Sequence, residues 1–171
     1  MSFRNSRILD QIGTSENGTY SFKGDIYVLS GEPGRMMKRP ALSAAGAIIS
    51  AVISGCITTK TDGSAFAVFA YIAAFILSFT VCFDCARIVI SKGRLRSYIY
   101  DRAVSAGKVK AVLLALTAFA AAVAGIIPLF SGEGTFSLPA VCYAALMLFC
   151  GICGIFYGAS LKGLHWERET H

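Results

Sequence analysis

The sequence predicts an all-α integral membrane protein, a bundle of four transmembrane helices with short outer hairpins and a cytoplasmic N-terminal segment. Three observations predict it. Four uncharged stretches, 40–59, 63–83, 111–132 and 134–161, are each long enough to cross a hydrocarbon core about 30 Å thick as a helix. Apolar residues make up 55% of the 171, which leaves the spans little company beyond a polar segment of 39 residues. The basic residues are also sorted, with fifteen of the sixteen Lys and Arg in segments that four spans place on one side.

The chain divides into a cytoplasmic segment 1–39, a bundle 40–161 with spans at about 40–59, 63–90, 109–130 and 136–161, and a cytoplasmic tail 162–171. In the first segment Met1, Ile8, Leu9 and Ile12 share a helical spacing beside Arg4 and Arg7, which predicts a short helix lying on the cytoplasmic leaflet. From Tyr20 the period changes to two. Tyr20, Phe22, Ile26 and Val28 alternate with polar residues around Gly24-Asp25, the pattern of a β-hairpin with a tight turn. A lone hairpin is marginal in water, so this one is expected to dock on the bundle or on a partner. Asn17-Gly18-Thr19 spells a glycosylation acceptor, but the topology keeps it in the cytoplasm.

Glu32-Pro33-Gly34 interrupts the chain, Met36 to Arg39 form a basic collar, and Pro40 opens the first span. The run after Pro40 has no small-residue cleavage site behind it and reads as a span, not a signal peptide. Arg4, Arg7, Lys23, Arg35, Lys38 and Arg39 precede it. Arg87, Lys92, Arg94, Arg96, Arg102, Lys108 and Lys110 lie between the second and third spans, and Lys162 and Arg168 follow the fourth; Lys60 alone falls on the other side. Both termini and the middle loop are therefore expected in the cytoplasm of a plasma-membrane protein. The net charge of +6 meets anionic lipid in this arrangement, and no nucleic-acid role follows from it.

Gly93 and Gly107 bracket a stretch in which Leu95, Tyr98, Ile99 and Ala103 share a face, which predicts an amphipathic interfacial helix. Tyr98, Tyr100 and Trp166 are expected to anchor at the headgroups. Helices in lipid associate by close backbone approach at small residues. The first span offers Gly46, Ser50, Ser54 and Ala47, Ala51, Gly55; the third Ala118, Ala122 and Ala121, Gly125; the fourth Cys150, Gly154 and Gly158. Phe66, Phe69, Phe75, Ile76 and Phe79 make the second span bulky and lipid-facing. No internal repeat points to a pseudo-symmetric transporter.

Chemistry is carried by few residues, and no catalytic residue emerges from them. Cys82/Cys85 and Cys150/Cys153 form two CxxC pairs, each with both thiols on one helix face. If the second and fourth spans are neighbours, the four sulfurs could hold a tetrahedral zinc or an iron–sulfur cluster. Cytoplasmic thiols stay reduced, whereas Cys56 and Cys142, toward the outer ends, could pair in an oxidising lumen. Four spans, this length and a CxxC are similar to the bacterial disulfide-generating membrane oxidases and the vitamin K epoxide reductase family. Those families place working cysteines on the non-cytoplasmic side; the outer hairpins here, 59–62 and 131–135, contain none, so no residue carries over.

Asp84 is an acid near the end of a span and thus a candidate proton or ion site, with Arg87 three residues on as the expected partner in a surface ion pair. His165 and His171 lie in the polar tail and read as solvated. The leading expectation is a non-enzymatic accessory or interaction subunit that contacts another membrane protein or a second copy of itself. A thiol-redox or metal protein built on the CxxC pairs is the first alternative, and a small proton-coupled transporter using Asp84 is the second.

Overall fold

The computed structural model describes residues 12–14, 20–22, 26–31, 33–57, 65–130 and 138–169. Three short strands, β1 (Ile12–Thr14), β2 (Tyr20–Phe22) and β3 (Ile26–Leu29), precede the helices. Pro33 then starts a single-turn helix, α1 (Pro33–Met36), and Pro40 sits in the first turn of α2 (Lys38–Gly55). A proline is tolerated at both places, because the first N–H groups of a helix have no partner within it. The long helix α3 (Ala65–Ile90) follows, then strand β4 (Arg94–Arg96) and a one-turn helix α4 (Ser97–Tyr100). A π-turn over Asp101–Ser105 joins α4 to α5 (Ala106–Phe130), and α6 (Leu138–Lys162) leads to a last strand, β5 (Trp166–Glu169).

Four of these segments are helices long and apolar enough to cross a membrane. They pack as a ring in which α6 lies against both α2 and α5, and α3 closes the other side against the same two. The diagonals are therefore α2 with α5 and α3 with α6. Most of the small-residue stripes of the sequence lie inside this ring, while Gly55 is exposed and Gly46 and Gly158 are half-buried. Ala47, Ser50, Ala51 and Ser54 of α2 are buried, as are Ala118, Ala121 and Ala122 of α5 and Cys150 and Gly154 of α6. The expected lipid-facing residues point outward, with Phe66, Phe69, Phe75, Ile76 and Phe79 all exposed.

Buried hydroxyls are satisfied without crossing the interface. Ser50 Oγ donates to the Gly46 carbonyl at 2.9 Å and Ser54 Oγ to the Ala51 carbonyl at 2.9 Å, the back-bonding that lets serine sit in an apolar helix. The α2–α6 seam is then closed by soft contacts, Ser54 Oγ to Met147 Sδ at 3.2 Å and Cys150 Sγ to the Ala47 carbonyl at 3.5 Å. Between α2 and α3, Tyr71 Oη donates to the Ala51 carbonyl at 3.1 Å.

The strand periodicity around Tyr20 and Val28 is real, but its pairing differs from the expected hairpin. β2 pairs with β1, Thr14 opposite Tyr20, while β3 is the centre of a separate antiparallel sheet ordered β4-β3-β5. Tyr27 stands opposite Leu95 on one side and Arg168 on the other. The sheet joins the segment before the first long helix, the connection between α3 and α5, and the segment after α6, so all three meet at one end of the bundle. The leaflet helix expected over residues 1–12 lies outside the described residues except at Ile12, which is in β1.

The interfacial helix expected between Gly93 and Gly107 is also corrected. Lys92 (φ 51°) and Gly93 (φ 81°) take left-handed conformations in succession, which turns the chain out of α3. Arg94–Arg96 then runs as a strand, and from Ser97 the helix continues without a break into the third long segment. Leu95 faces inward and is completely buried. Tyr100 stacks on Tyr27 with ring centres 4.1 Å apart and meets Trp166 edge-on at 5.7 Å. Tyr98 remains exposed. These rings bind the three chain segments to one another through their side chains as the ladder does through backbone.

Candidate functional site

Asp84, the candidate acid, lies on the inward stripe of α3 with Val81, Cys85 and Ile88, all of them buried. Its carboxylate receives a hydrogen bond and a full ion pair from Lys110 Nζ, which reaches across from the start of α5. The surface pair with Arg87 does not form. Arg87 lies one helical turn from Phe83 on the outer face, and its guanidinium sits 4.4 Å from that ring's centre as a cation–π contact. Asp84 and Arg87 are only about 60° apart around the helix, and they part because each takes a different partner, Asp84 inward to Lys110 and Arg87 outward to Phe83.

The ion pair is unequally buried, with 4% of the Asp84 side chain exposed against 25% of Lys110. Acid and base therefore neutralise each other between α3 and α5, with the ammonium on the side that opens outward. Tyr157 of α6 is fully buried, and among the described residues its hydroxyl has no hydrogen-bond partner. That hydroxyl lies against the backbone of Gly107, where an added Cβ would stand 3.9 Å from it.

The CxxC pairs do not come together. Their helices, α3 and α6, occupy opposite corners of the ring, so the condition for a four-sulfur site, adjacency of the second and fourth spans, is not met. The α6 thiols instead look at α2. Cys150 points to the Ala47 carbonyl, and Cys153 Sγ lies 3.0 Å from where a Cβ on Gly46 would be. Cys85 is buried in the core and Cys82 is half-buried. Among the described residues no three His, Cys, Asp or Glu side chains group closely enough to hold a metal ion. Cys56 and Cys142 are exposed free thiols and are not bonded to each other. His165 is exposed, as its place in a polar tail suggests, and His171 lies outside the described residues.

Lys110 and Tyr157 are the two functional candidates that sequence reasoning passed over. Lys110 counts as one more basic residue of the middle connection until the α3–α5 interface brings it to Asp84. Tyr157 reads as an ordinary aromatic in an apolar run. No family model, curated protein or solved structure matches this chain. Its reading therefore rests on its own geometry.

Proposed function

We propose that this chain is a non-enzymatic accessory subunit of a membrane assembly, held in the plasma membrane by its four long helices with the sheet end in the cytoplasm. One observation carries the reading: the three segments that the basic residues place in the cytoplasm are built into a single sheet, β4-β3-β5, with a stacked aromatic seam. A chain that only needed to cross the membrane could leave such segments loose. Joining them makes a fixed cytoplasmic platform, the kind of surface a second subunit docks on. The Asp84–Lys110 pair is closed on itself and the α6 thiols Cys150 and Cys153 lie against the Ala47 carbonyl and Gly46 of α2, which supports a structural part for both.

The orientation is checked by thiol labelling. Cys56 is exposed at the end of α2 remote from the sheet. A variant keeping Cys56 as its sole cysteine is expected to react with a membrane-impermeant maleimide added to intact cells. Labelling that appears only after permeabilisation reverses the topology.

The accessory role is checked by native mass spectrometry of the protein gently extracted from its own membranes. The expected spectrum holds a second polypeptide in fixed stoichiometry. Val28→Pro is expected to remove that mass while leaving membrane insertion unchanged, since a proline at the centre of β3 deletes a ladder donor and opens the sheet. Proteolytic clipping after Lys162 reports the opening. A chain that extracts alone, or a partner that stays bound when the sheet is open, counts against the platform.

A further inference from the structure

Beyond the accessory role, and resting only on the placement of the helices in a bilayer, we propose that the outer groove between α2 and α6 is a binding site for an anionic phospholipid of the leaflet at the sheet end. The groove has a volume of about 1140 Å³. That exceeds the range of about 300–1,000 Å³ usual for compact small-molecule sites and suits an elongated ligand. Its length fits as well. From Arg39 to Ile49, both of which line it, ten helical residues rise about 15 Å, which is half of a hydrocarbon core about 30 Å thick.

The lining changes character along that length. Arg35 and Arg39 stand at the sheet end, both exposed, and among the described residues no acidic side chain pairs with either. Below them the walls are Leu42 and Ile49 from α2 and Phe149 and Phe156 from α6. Gly46 and Ala45 keep the floor low between these walls, and Leu42 and Ile49 are 77% and 57% exposed. Two guanidinium groups above an apolar trough match a phosphate head above an acyl chain, and guanidinium forks bind phosphate oxygens in pairs. A zwitterionic head adds a cation that nothing in the described lining answers. The preference is therefore for a lipid of net negative charge, the match that basic pockets between helices make on the cytoplasmic side.

The test uses the purified full chain in mild detergent with equal amounts of phosphatidylglycerol and phosphatidylcholine of the same acyl chains, read by native mass spectrometry. Wild type is expected to retain phosphatidylglycerol over phosphatidylcholine by about thirtyfold, the scale that two basic residues at an anionic surface supply. Arg35→Gln/Arg39→Gln is expected to bring that ratio to about one, with lipid still bound. Ala159→Phe, which fills the groove from an exposed position on α6, is expected to reduce retention of both lipids. Equal retention of the two lipids by wild type overturns the proposal. So does binding of water-soluble glycerophosphate as tight as that of the lipid, which would leave an anion site alone. A dimer broken by Ala159→Phe without any lipid preference also overturns it and gives the groove to a second copy of the chain. Because the chain is tested without other polypeptides, the lipid site and the accessory role can fail separately.

Discussion

Lys110→Met is expected to destabilise the folded bundle by about 3 kcal/mol, while Asp84→Asn costs only about 1 kcal/mol. The asymmetry follows from where each group sits. Asp84 is 3% exposed, its described ionic partner is Lys110, and its neighbours on α3 are apolar, so removing the ammonium leaves a carboxylate with no water to turn to. Lys110 has a way out. Its side chain is 25% exposed, and a long lysine stem can carry the charge to the rim once the acid is gone. The double variant Asp84→Leu/Lys110→Met, which replaces the pair by apolar groups of similar size, is expected to recover to near the wild-type value.

Unfolding of the purified chain in mixed micelles, followed by helix circular dichroism, supplies the four corners of a cycle once the single variant Asp84→Leu is added to wild type, Lys110→Met and the double variant. A coupling near zero would mean that the pair does not hold α3 to α5. The cycle also separates structure from transport. A working proton site would lose flux in Asp84→Asn with stability intact, whereas the closed pair predicts a change in stability that the double variant repairs.

What was legible in the sequence is what belongs to single helices. Length and charge mark the four long apolar segments, and the described helices begin and end within a few residues of the charged boundaries, Ile90 before Lys92 and Lys162 after Leu161 being examples. Small residues at four-residue spacing turned inward and phenylalanines outward, because close approach and lipid contact are properties of a single helix face. Partner choice was not legible. Ile26–Leu29 announces a strand through its own alternation, but β4 is three residues between a left-handed turn and a helix, and β5 reads Trp-Glu-Arg-Glu, which looks like a solvated tail. Neither short strand carries a period of its own. The same limit explains the thiols. CxxC spacing fixes a face on each helix, yet whether two faces meet depends on which helices are neighbours, and the ring puts α3 and α6 on a diagonal. Asp84 and Lys110 are 26 residues apart and belong to different spans, so their meeting is information of that same kind.

Gly154→Leu is expected to cost about 3 kcal/mol and to push α5 away from α6, because close packing there leaves little room for a side chain and overpacked cores lose stability on this scale. A Cβ on Gly154 would stand 3.2 Å from the Ala111 carbonyl oxygen and 3.3 Å from Leu114 Cγ. The first of these contacts is backbone and cannot rotate away. One turn later, at Gly158, the Cβ would lie 3.1 Å from the Ala111 methyl, a side-chain contact. The two glycines therefore differ in how they can be rescued. Ala111→Gly deletes the methyl but keeps the carbonyl, so it is expected to restore stability to Gly158→Ala and to leave Gly154→Ala unrepaired. An exposed neighbour, Ala159→Leu, serves as the control and is expected to stay within about 0.5 kcal/mol of wild type. If Ala111→Gly repairs both glycine variants alike, the carbonyl is not the obstacle and the helices have room to slide. If it repairs only Gly158→Ala, the α5–α6 contact is backbone against backbone, and the glycine at 154 sets how closely those two helices approach.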